Sequence, residues 1–561
     1  MNKKGITLLS LVATVVIMLL LAGVTFGAIR GGLFSYAGKA KTGTEESSIK
    51  QGIQQAFILA KGDSKTNKVS EQNMQHQVDL ALPDKNATVV EEGDKLIVII
   101  DNKYYEVDNN GGIAGPGKLE PIVNAGDITK GGTCTGTEDK PYRIECIEDL
   151  VELSKRACNN QTIDTAKYYL LTKDLDFNSI FSYSDYKAKY SYDSELNAYV
   201  PDENSTTTIK QLCTTGQGFI PISLAYGSDG QTRTFRGTFY GDEQRTIKNI
   251  FINRNGNAAL FGGCSSAKIK KITINGDITS LNGIAAGFIG GGWSCTIQDC
   301  ENHAKITSKT SQAAGIQASG GKGNIINCVN RGEIISEGGC ASGIAHFIIT
   351  LDKCKNFGRV TGKTGAAGIG TSRYGGDTGV MTNCYNAGEI ICNGTGAVGG
   401  LALACHNKNK IYNSYNVGIL RQENAAKPTI GGVCGATSTG ENAVNCYSKG
   451  EIITKEGANV ANCGVLMKTG ESVKNGYYLD GIEVGPGITP ETSAHAFVKT
   501  SADEEALTTA KVVAALNSYI ESNEDGINTT GWCKWEVDSD NLPVLDFDTE
   551  WNGTSWVTVS N

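Results

Sequence analysis

Proline and histidine are scarce in this chain, with 10 and five residues among 561. So few prolines beside 70 glycines exclude a collagen-like helix and argue against a disordered chain. Glycine at about one residue in eight, against a usual 7% or so, points to tight turns repeated many times. Clusters of Lys and Arg are also missing. With a formal net charge of −8, nothing offsets nucleic-acid phosphate, so no nucleic-acid partner is expected.

Catalytic and cofactor signatures are equally thin. The histidines (His76, His303, His346, His406 and His495) are scattered, and none opens a His-Glu-x-x-His motif. Gly-x-Ser-x-Gly elbows and Walker-type phosphate loops do not occur. The 17 cysteines include no Cys-x-x-Cys, and the close pairs Cys295/Cys300 and Cys384/Cys392 lack ligand spacing, so no metal or other cofactor is expected. Asp174 and Asp176 flank Leu175 and share one strand face. Such a pair can take calcium or serve glycoside chemistry, though solvated turn-flanking acids are the plainer reading. The expectation is a protein that is not an enzyme.

One long run has no charge at all. Residues 6–29, including Val15–Leu21, form a segment of roughly 36 Å as a helix, enough to cross a hydrocarbon core of about 30 Å. A secretory signal would show a shorter apolar centre of about 7–15 residues and a small-residue cleavage site. Lys3 and Lys4 nearly balance Arg30, Lys39 and Lys41 across the span, so charge alone does not orient it. The short leader favours an inside N-terminus, with the rest of the chain extracellular. No second apolar run precedes Asn561, which predicts a single, N-terminal anchor.

Lys4-Gly5 immediately before Ile6-Thr-Leu-Leu9 resembles the leader junction of type IV prepilins and pseudopilins. The resemblance implies cleavage between Gly5 and Ile6 by prepilin peptidase, and association with pilus or pseudopilus subunits. Those families usually carry glutamate at the fifth mature position, where this chain has Ser10; that departure bears on filament entry. A plain single-pass membrane anchor is the alternative.

Beyond the span, Thr42-Gly-Thr-Glu45 reads as a capping box, followed by Ile49, Ile53, Ala56, Phe57 and Ala60 at helical spacing. A second helix is predicted over Ser70–Leu82, stopped by Pro83. Strands are predicted at Thr88–Val90, Leu96–Ile100 and Lys103–Val107, with Asp101-Asn102 as the turn between the last two. One long helix and a small antiparallel sheet is also the pilin layout. Glycines 111, 112, 115 and 117 with Pro116 read as a linker.

The middle of the chain repeats, and this sets the expected fold. Asn-Cys-x-Asn-x-Gly-x-Ile occurs at 327–334 and 383–390. Degenerate copies lie at 299–306, 353–360, 413–420 and 445–452. The Cys column falls at 300, 328, 354, 384, 414 (Ser) and 446, a period of 26–32 residues. A second, glycine-rich column includes Ala286-Gly-Phe, Ala314-Gly-Ile, Ser342-Gly-Ile, Ala367-Gly-Ile, Gly399-Gly-Leu, Gly431-Gly-Val and Cys463-Gly-Val. This column resembles the GLUG repeat of bacterial surface proteins. Two short β-prone columns per period predict the coils of a β-solenoid, stacked about 4.8 Å apart. At that spacing parallel Cβ atoms sit beyond usual disulfide range, so the Cys column reads as a reduced, buried ladder.

Flanking elements complete the reading. Ile147–Arg156 is an amphipathic helix suited to capping the solenoid, and Tyr168–Phe177 reads as a strand. Phe235–Gly241 resembles the segment leading into GLUG coils. Leu507–Ile520 is a helix capped by Ser501–Glu504, and Trp532–Val537 and Leu542–Leu545 are closing strands. The fold expected is mainly β. Its parts are a leader (1–5), a transmembrane or pilin-like helix (6–29), an α+β stalk (30–115), a linker and solenoid entry (116–250), GLUG-like coils (251–485) and a C-terminal helix with closing strands (486–561). Alternation places Tyr385, Tyr415, Tyr447 and Tyr477 beside the inward Cys column, as an outward stripe. Such a stripe can stack on sugars or bury against a partner; the alternative is that the rings only stack on one another. A Tyr-rich insertion (Tyr183, Tyr186, Tyr190, Tyr192, Tyr199) is the competing site, expected as a mobile loop. The function expected is adhesion to a host or environmental glycan or protein at the cell surface. The alternatives are a structural spacer or a carbohydrate-active β-helix enzyme.

Overall fold

A computed structural model describes residues 45–559, apart from 65–67, 120–121, 123, 160–165, 225–233, 348, 372–378, 406–408, 438–442, 468–472, 482–487, 489–493 and 523–524. The leader, the apolar run and the capping box at Thr42 lie outside the described residues. Among the described residues no helix is long and apolar enough to cross a membrane. The chain divides into two compact units between Pro121 and Ile122.

The first unit is a helical hairpin with a four-stranded antiparallel sheet. Helix α1 (Glu45–Asp63) buries Ile49, Ile53, Ala56, Phe57 and Ala60, the stripe that helical spacing predicts. Helix α2 (Glu71–Ala81) starts at Ser70, whose hydroxyl accepts from Asn73 N, and buries Met74 and Val78. Strands β1 (Thr88–Glu92), β2 (Lys95–Ile100) and β3 (Lys103–Val107) pair in sequence order. Asp101 and Asn102 turn between β2 and β3 with φ of 49° and 60°, both left-handed as a tight hairpin demands. The glycines expected as a linker form a fourth strand instead, β4 (Ile113–Lys118), paired to β3. Gly115 and Gly117 fit that edge because a Cβ at either would meet Tyr104, from 2.8 and 2.2 Å.

The second unit is the β-solenoid. One column of parallel pairings runs unbroken through Tyr142, Tyr169, Phe239, Ile269, Ile297, Ile325, Leu351, Met381, Ile411, Ala443 and Val473. Each is buried and each belongs to one continuous core. A second parallel sheet of seven short strands, from Ala285–Ala286 to Asn462–Gly464, carries the glycine-rich column. Helix α3 (Ile147–Cys158) packs Ile147, Leu150, Val151 and Leu153 into the core of the first rungs, as an end cap should. The short helix α4 (Ile209–Thr214) opens on a capping box of Thr208 and Gln211.

Every letter of the repeat has a physical reason. The first Asn sits at a corner in the left-handed region, with φ of 49° at Asn327, 54° at Asn383 and 47° at Asn413; Asn tolerates this better than most residues. The Cys is buried, and its thiol donates to the carbonyl two residues back, Cys328 to Ile326 O at 3.3 Å and Cys384 to Thr382 O at 3.1 Å. Ser414 does the same to Tyr412 O at 2.6 Å. All 17 cysteines are free thiols. The second Asn is fully buried and forms an amide ladder. Asn302 donates to Asn330, Asn330 to Asn356, Asn356 to Asn386 and Asn386 to Asn416, at 2.7, 2.7, 2.7 and 2.8 Å. Each Nδ2 also donates to the carbonyl two residues on, of Ala304 for Asn302 and of the repeat glycine for the others, as Asn386 does to Gly388 O at 2.9 Å. A buried amide satisfied along and across the stack carries no desolvation debt.

The glycines flank that ladder on both sides. A Cβ on Gly388 would lie 2.1 Å from Gly358 O, and one on Gly368, in the other column, 2.0 Å from Gly400 O and 2.5 Å from the Asn386 carboxamide. Only glycine lets successive backbones approach this closely around the amides.

Candidate functional site

The residue after each Cys points outward and forms its own column, Thr273–Glu301–Val329–Lys355–Tyr385–Tyr415–Tyr447–Tyr477–His495. The predicted tyrosines are its later members, and they do stack. Tyr385 and Tyr415 are 4.9 Å apart and 5° from parallel, and Tyr415 and Tyr447 are 5.4 Å and 16°. They are not an exposed stripe. Tyr415, Tyr447 and Tyr477 are buried, and Tyr385 is half-buried. Helix α5 (Thr509–Ser522) lays Val512, Leu516 and Ile520 in the same cluster, with Trp532 and, from a C-terminal antiparallel sheet (Cys533–Val537, Pro543–Trp551 and Trp556–Thr558), Trp535 and Leu545. An apolar face of four successive rungs is covered by the chain's own apolar C-terminus, which buries both. Burial pushes the Tyr385 phenol up to about 12 and the Tyr447 phenol higher still.

The cover is keyed to the corner asparagines. Asn383 Oδ1 accepts from Cys533 N at 2.9 Å, and Asn383 Nδ2 donates to Gly531 O at 2.9 Å. Asn413 Oδ1 accepts from Trp535 Nε1 at 2.5 Å, while its Nδ2 donates to Cys533 O at 2.9 Å. Lys353 replaces asparagine in this column and pairs with Glu550 of the cover. The cap predicted at Ser501–Glu504 is a separate turn, with Ser501 Oγ accepting from Asp503 N at 3.0 Å, and α5 starts later.

The Tyr-rich insertion is not a loose loop. Tyr190–Asp193 and Ala198–Pro201 pair as a hairpin, Tyr183 and Tyr199 are buried, and their hydroxyls donate to Phe177 O at 2.8 Å and Gly218 O at 2.6 Å. Asp174 and Asp176 are both engaged by the chain itself. Asp174 accepts from Thr246 N at 2.9 Å, and Asp176 from Asn178 N at 2.9 Å and Asn249 Nδ2 at 2.7 Å. Both tie their strand to the neighbouring rung at Thr246 and Asn249.

The cover extends one rung past Tyr385, to Lys353 and Lys355, and ends there. Phe547 lies 5.9 Å from the Tyr385 ring, and Lys355 Nζ sits 3.8 Å from the Phe547 ring centre. On the preceding coils the outer face is open, as a groove of about 300 Å³ lined by Gln244, Asp299, Glu301, Asn327, Val329, Arg331, Lys355, Phe357 and Tyr385. Its two acids and two cations lie at different depths. Glu301 contacts His303 Nε2 at 2.9 Å and Arg331 Nε at 3.7 Å. The Arg331 guanidinium also lies 4.5 Å over Phe357, whose ring meets Tyr385 edge-on at 5.4 Å and stays 37% exposed. Lys355 is the more deeply set cation. Burial, with Lys353 as a lesser neighbour, pulls its ammonium below the ordinary lysine value.

Sequence reasoning singled out this outward column only from Tyr385 onward. Its earlier members Glu301, Val329 and Lys355 stand at the same letter of the repeat, and His303, Arg331 and Phe357 stand two letters on. Charged residues replacing tyrosine in one column were the available signal.

No family model and no curated protein matches this chain. Among solved structures it is similar to "a putative immunoglobulin A1 protease from Bacteroides ovatus", at 13% identity and a TM-score of 0.33, covering 73% of this chain and 94% of that one. A likeness that distant carries nothing about activity.

Proposed function

We propose that this chain is a bacterial surface protein whose solenoid, of GLUG-type coils, binds a glycan in the groove before the C-terminal cover. One observation carries this reading: the aromatic cover closes four outward rungs and ends against Lys355, and beyond it Glu301, Arg331 and Phe357 line an open groove. Planar polar side chains beside a partly exposed ring are the means by which proteins hold sugar hydroxyls and ring faces. Glu301 is engaged with His303 and Arg331, which favours binding over acid–base turnover. Residues 6–29 would anchor the chain in the membrane, and the Gly5–Ile6 junction would be the site of prepilin peptidase processing.

Two measurements test these parts separately. The full chain in detergent should bind glycans on an array, and Phe357→Ala should lose that binding at least tenfold with its melting temperature within a few degrees of the parent. Equal binding by Phe357→Ala removes the groove. In cells with prepilin peptidase, Gly5→Val should retain the leader; a mature N-terminus between Ala22 and Arg30 would identify a secretory signal instead.

A further inference from the structure

Lys355 sits at one end of the groove, with Arg331 on the adjacent coil beside Val329, and among the described residues no carboxylate lies within 4.0 Å of the Lys355 ammonium. Its aromatic neighbour Phe547 holds it by the ring face, and the nearest charge on its own strand is another cation, Lys353, which Glu550 neutralises. A desolvated cation of this kind is poorly compensated until an anion joins it. Further along stand Asp299 and Glu301; Glu301 is two rungs from Lys355, about 10 Å at the usual strand spacing, and 3.7 Å from Arg331, which lies between them. Asp299 accepts from Asn327 Nδ2 at 2.7 Å and Glu301 from His303 at 2.9 Å; both line the groove, and a carboxylate has lone pairs beyond one such bond.

We propose that the groove takes a carboxylated saccharide, its carboxylate between Lys355 and Arg331 and its hydroxyls donating to Asp299 and Glu301. This rests on the groove being the binding site. One molecule must supply an anion at one end and hydroxyl donors at the other, across a shallow channel with an apolar floor at Val329. An acidic sugar does both. An acidic peptide brings the anion, but its main donors are backbone N–H groups with no hydroxyl array. Phe547 is a positioning residue here, fixing Lys355 from the cover side.

The test uses the full chain in detergent, with oligogalacturonate and sialyllactose as acidic probes and oligogalactose and lactose as their neutral counterparts. Calorimetric titration should show binding of at least one acidic probe at least tenfold tighter than its neutral counterpart, weakening as salt rises. The two acidic arms distinguish a uronate from a sialate. Lys355→Gln should abolish that preference, and Phe547→Leu should reduce it with the melting temperature preserved. Equal binding of acidic and neutral probes, insensitive to Lys355→Gln but lost in Phe357→Ala, overturns the carboxylate assignment and leaves the groove intact. Binding of an Asp/Glu-rich peptide in place of the acidic sugars overturns it in favour of a protein ligand. No binding of any probe, by array or titration, overturns both.

Discussion

The indole Nε1 of Trp535 donates to the Oδ1 of Asn413 at 2.5 Å, across 122 residues of chain. Asn413 is a corner of the repeat and also accepts from Asn445 Nδ2 at 2.8 Å, so the cover reads a ladder that the solenoid builds for itself. Trp535 is fully buried against Tyr415 and Tyr447, at 5.6 and 6.1 Å. Trp535→Ala should cost about 3–5 kcal/mol in cover docking. Trp535→Phe keeps most of the packing and should cost about 1 kcal/mol for the lost hydrogen bond. Chemical denaturation followed by dye binding to the uncovered tyrosines checks both. An unchanged midpoint for Trp535→Ala would mean the cover adds no stability.

The solenoid was legible because its period is written in the sequence. Gly, Cys and Ile recur at fixed letters, and strand alternation turns letters into inward and outward faces. The amide ladder was hidden by chemistry: asparagine ordinarily signals a turn, and only the stack shows that Asn330 and Asn356 are interior. The cover was hidden because it does not repeat. Nothing local in Trp532–Val537 says that it docks on Tyr415, since that pairing depends on contacts more than 100 residues apart. The groove inherits the same difficulty, because it is defined by where the cover ends.

Asn356 tests the amide ladder at its centre. It accepts from Asn330 and donates to Asn386, both at 2.7 Å, with no solvent exposure. Asn356→Ala orphans a donor above and an acceptor below, at about 1–3 kcal/mol for each group left unpaired. Asn356→Asp keeps the shape but offers only acceptors at neutral pH, so it should be at least as harmful. Urea denaturation of the two variants gives the comparison. A mild effect from the aspartate would show that the amide is not needed as a donor.

Glycine has opposite roles at Gly388 and Gly62. Gly388→Ala drives a Cβ to 2.1 Å from Gly358 O, backbone that cannot move without shifting the next coil, and should cost more than about 2 kcal/mol. Gly62 lies in the last turn of α1 with open space around it, so Gly62→Ala should be neutral or stabilise by up to about 1 kcal/mol. Melting curves of the pair check the contrast, and equal effects would refute the close-approach account of the repeat glycines.

Asp352 lies beneath the cover, where burial raises its carboxyl to about 6 against the hydrogen bond from Asn383 Nδ2 at 2.8 Å. An acid whose folded pKa exceeds its unfolded value opposes folding when ionised. That penalty is absent below about pH 4, grows up to about pH 6 and is complete above it. Asp352→Asn keeps an acceptor for Asn383 and should stabilise the chain at pH 7 by at most about 3 kcal/mol, with the gain fading toward pH 4. Urea midpoints at the two pH values decide it. A gain of the same size at both would show that ionisation of Asp352 is not the cause.

Thiol reactivity tests the solenoid interior. Cys134 and Cys340 are the partly exposed cysteines, and Cys340 Sγ lies 3.2 Å from the Thr364 hydroxyl. Every other cysteine is buried, and burial pushes Cys328 and Cys384 well above the ordinary thiol value, so little thiolate forms there to react. Maleimide labelling of the native chain, followed by mass spectrometry, should modify Cys134 and Cys340 first. The rest should react only as denaturant opens the coils. Cys328→Ala should cost about 1–2 kcal/mol, because it removes one buried sulfur from a packed rung. Unreduced protein carrying Cys328–Cys354 or Cys354–Cys384 bridges would overturn the ladder of free thiols, since a bridge requires the parallel Cβ atoms of neighbouring rungs to converge below the strand spacing.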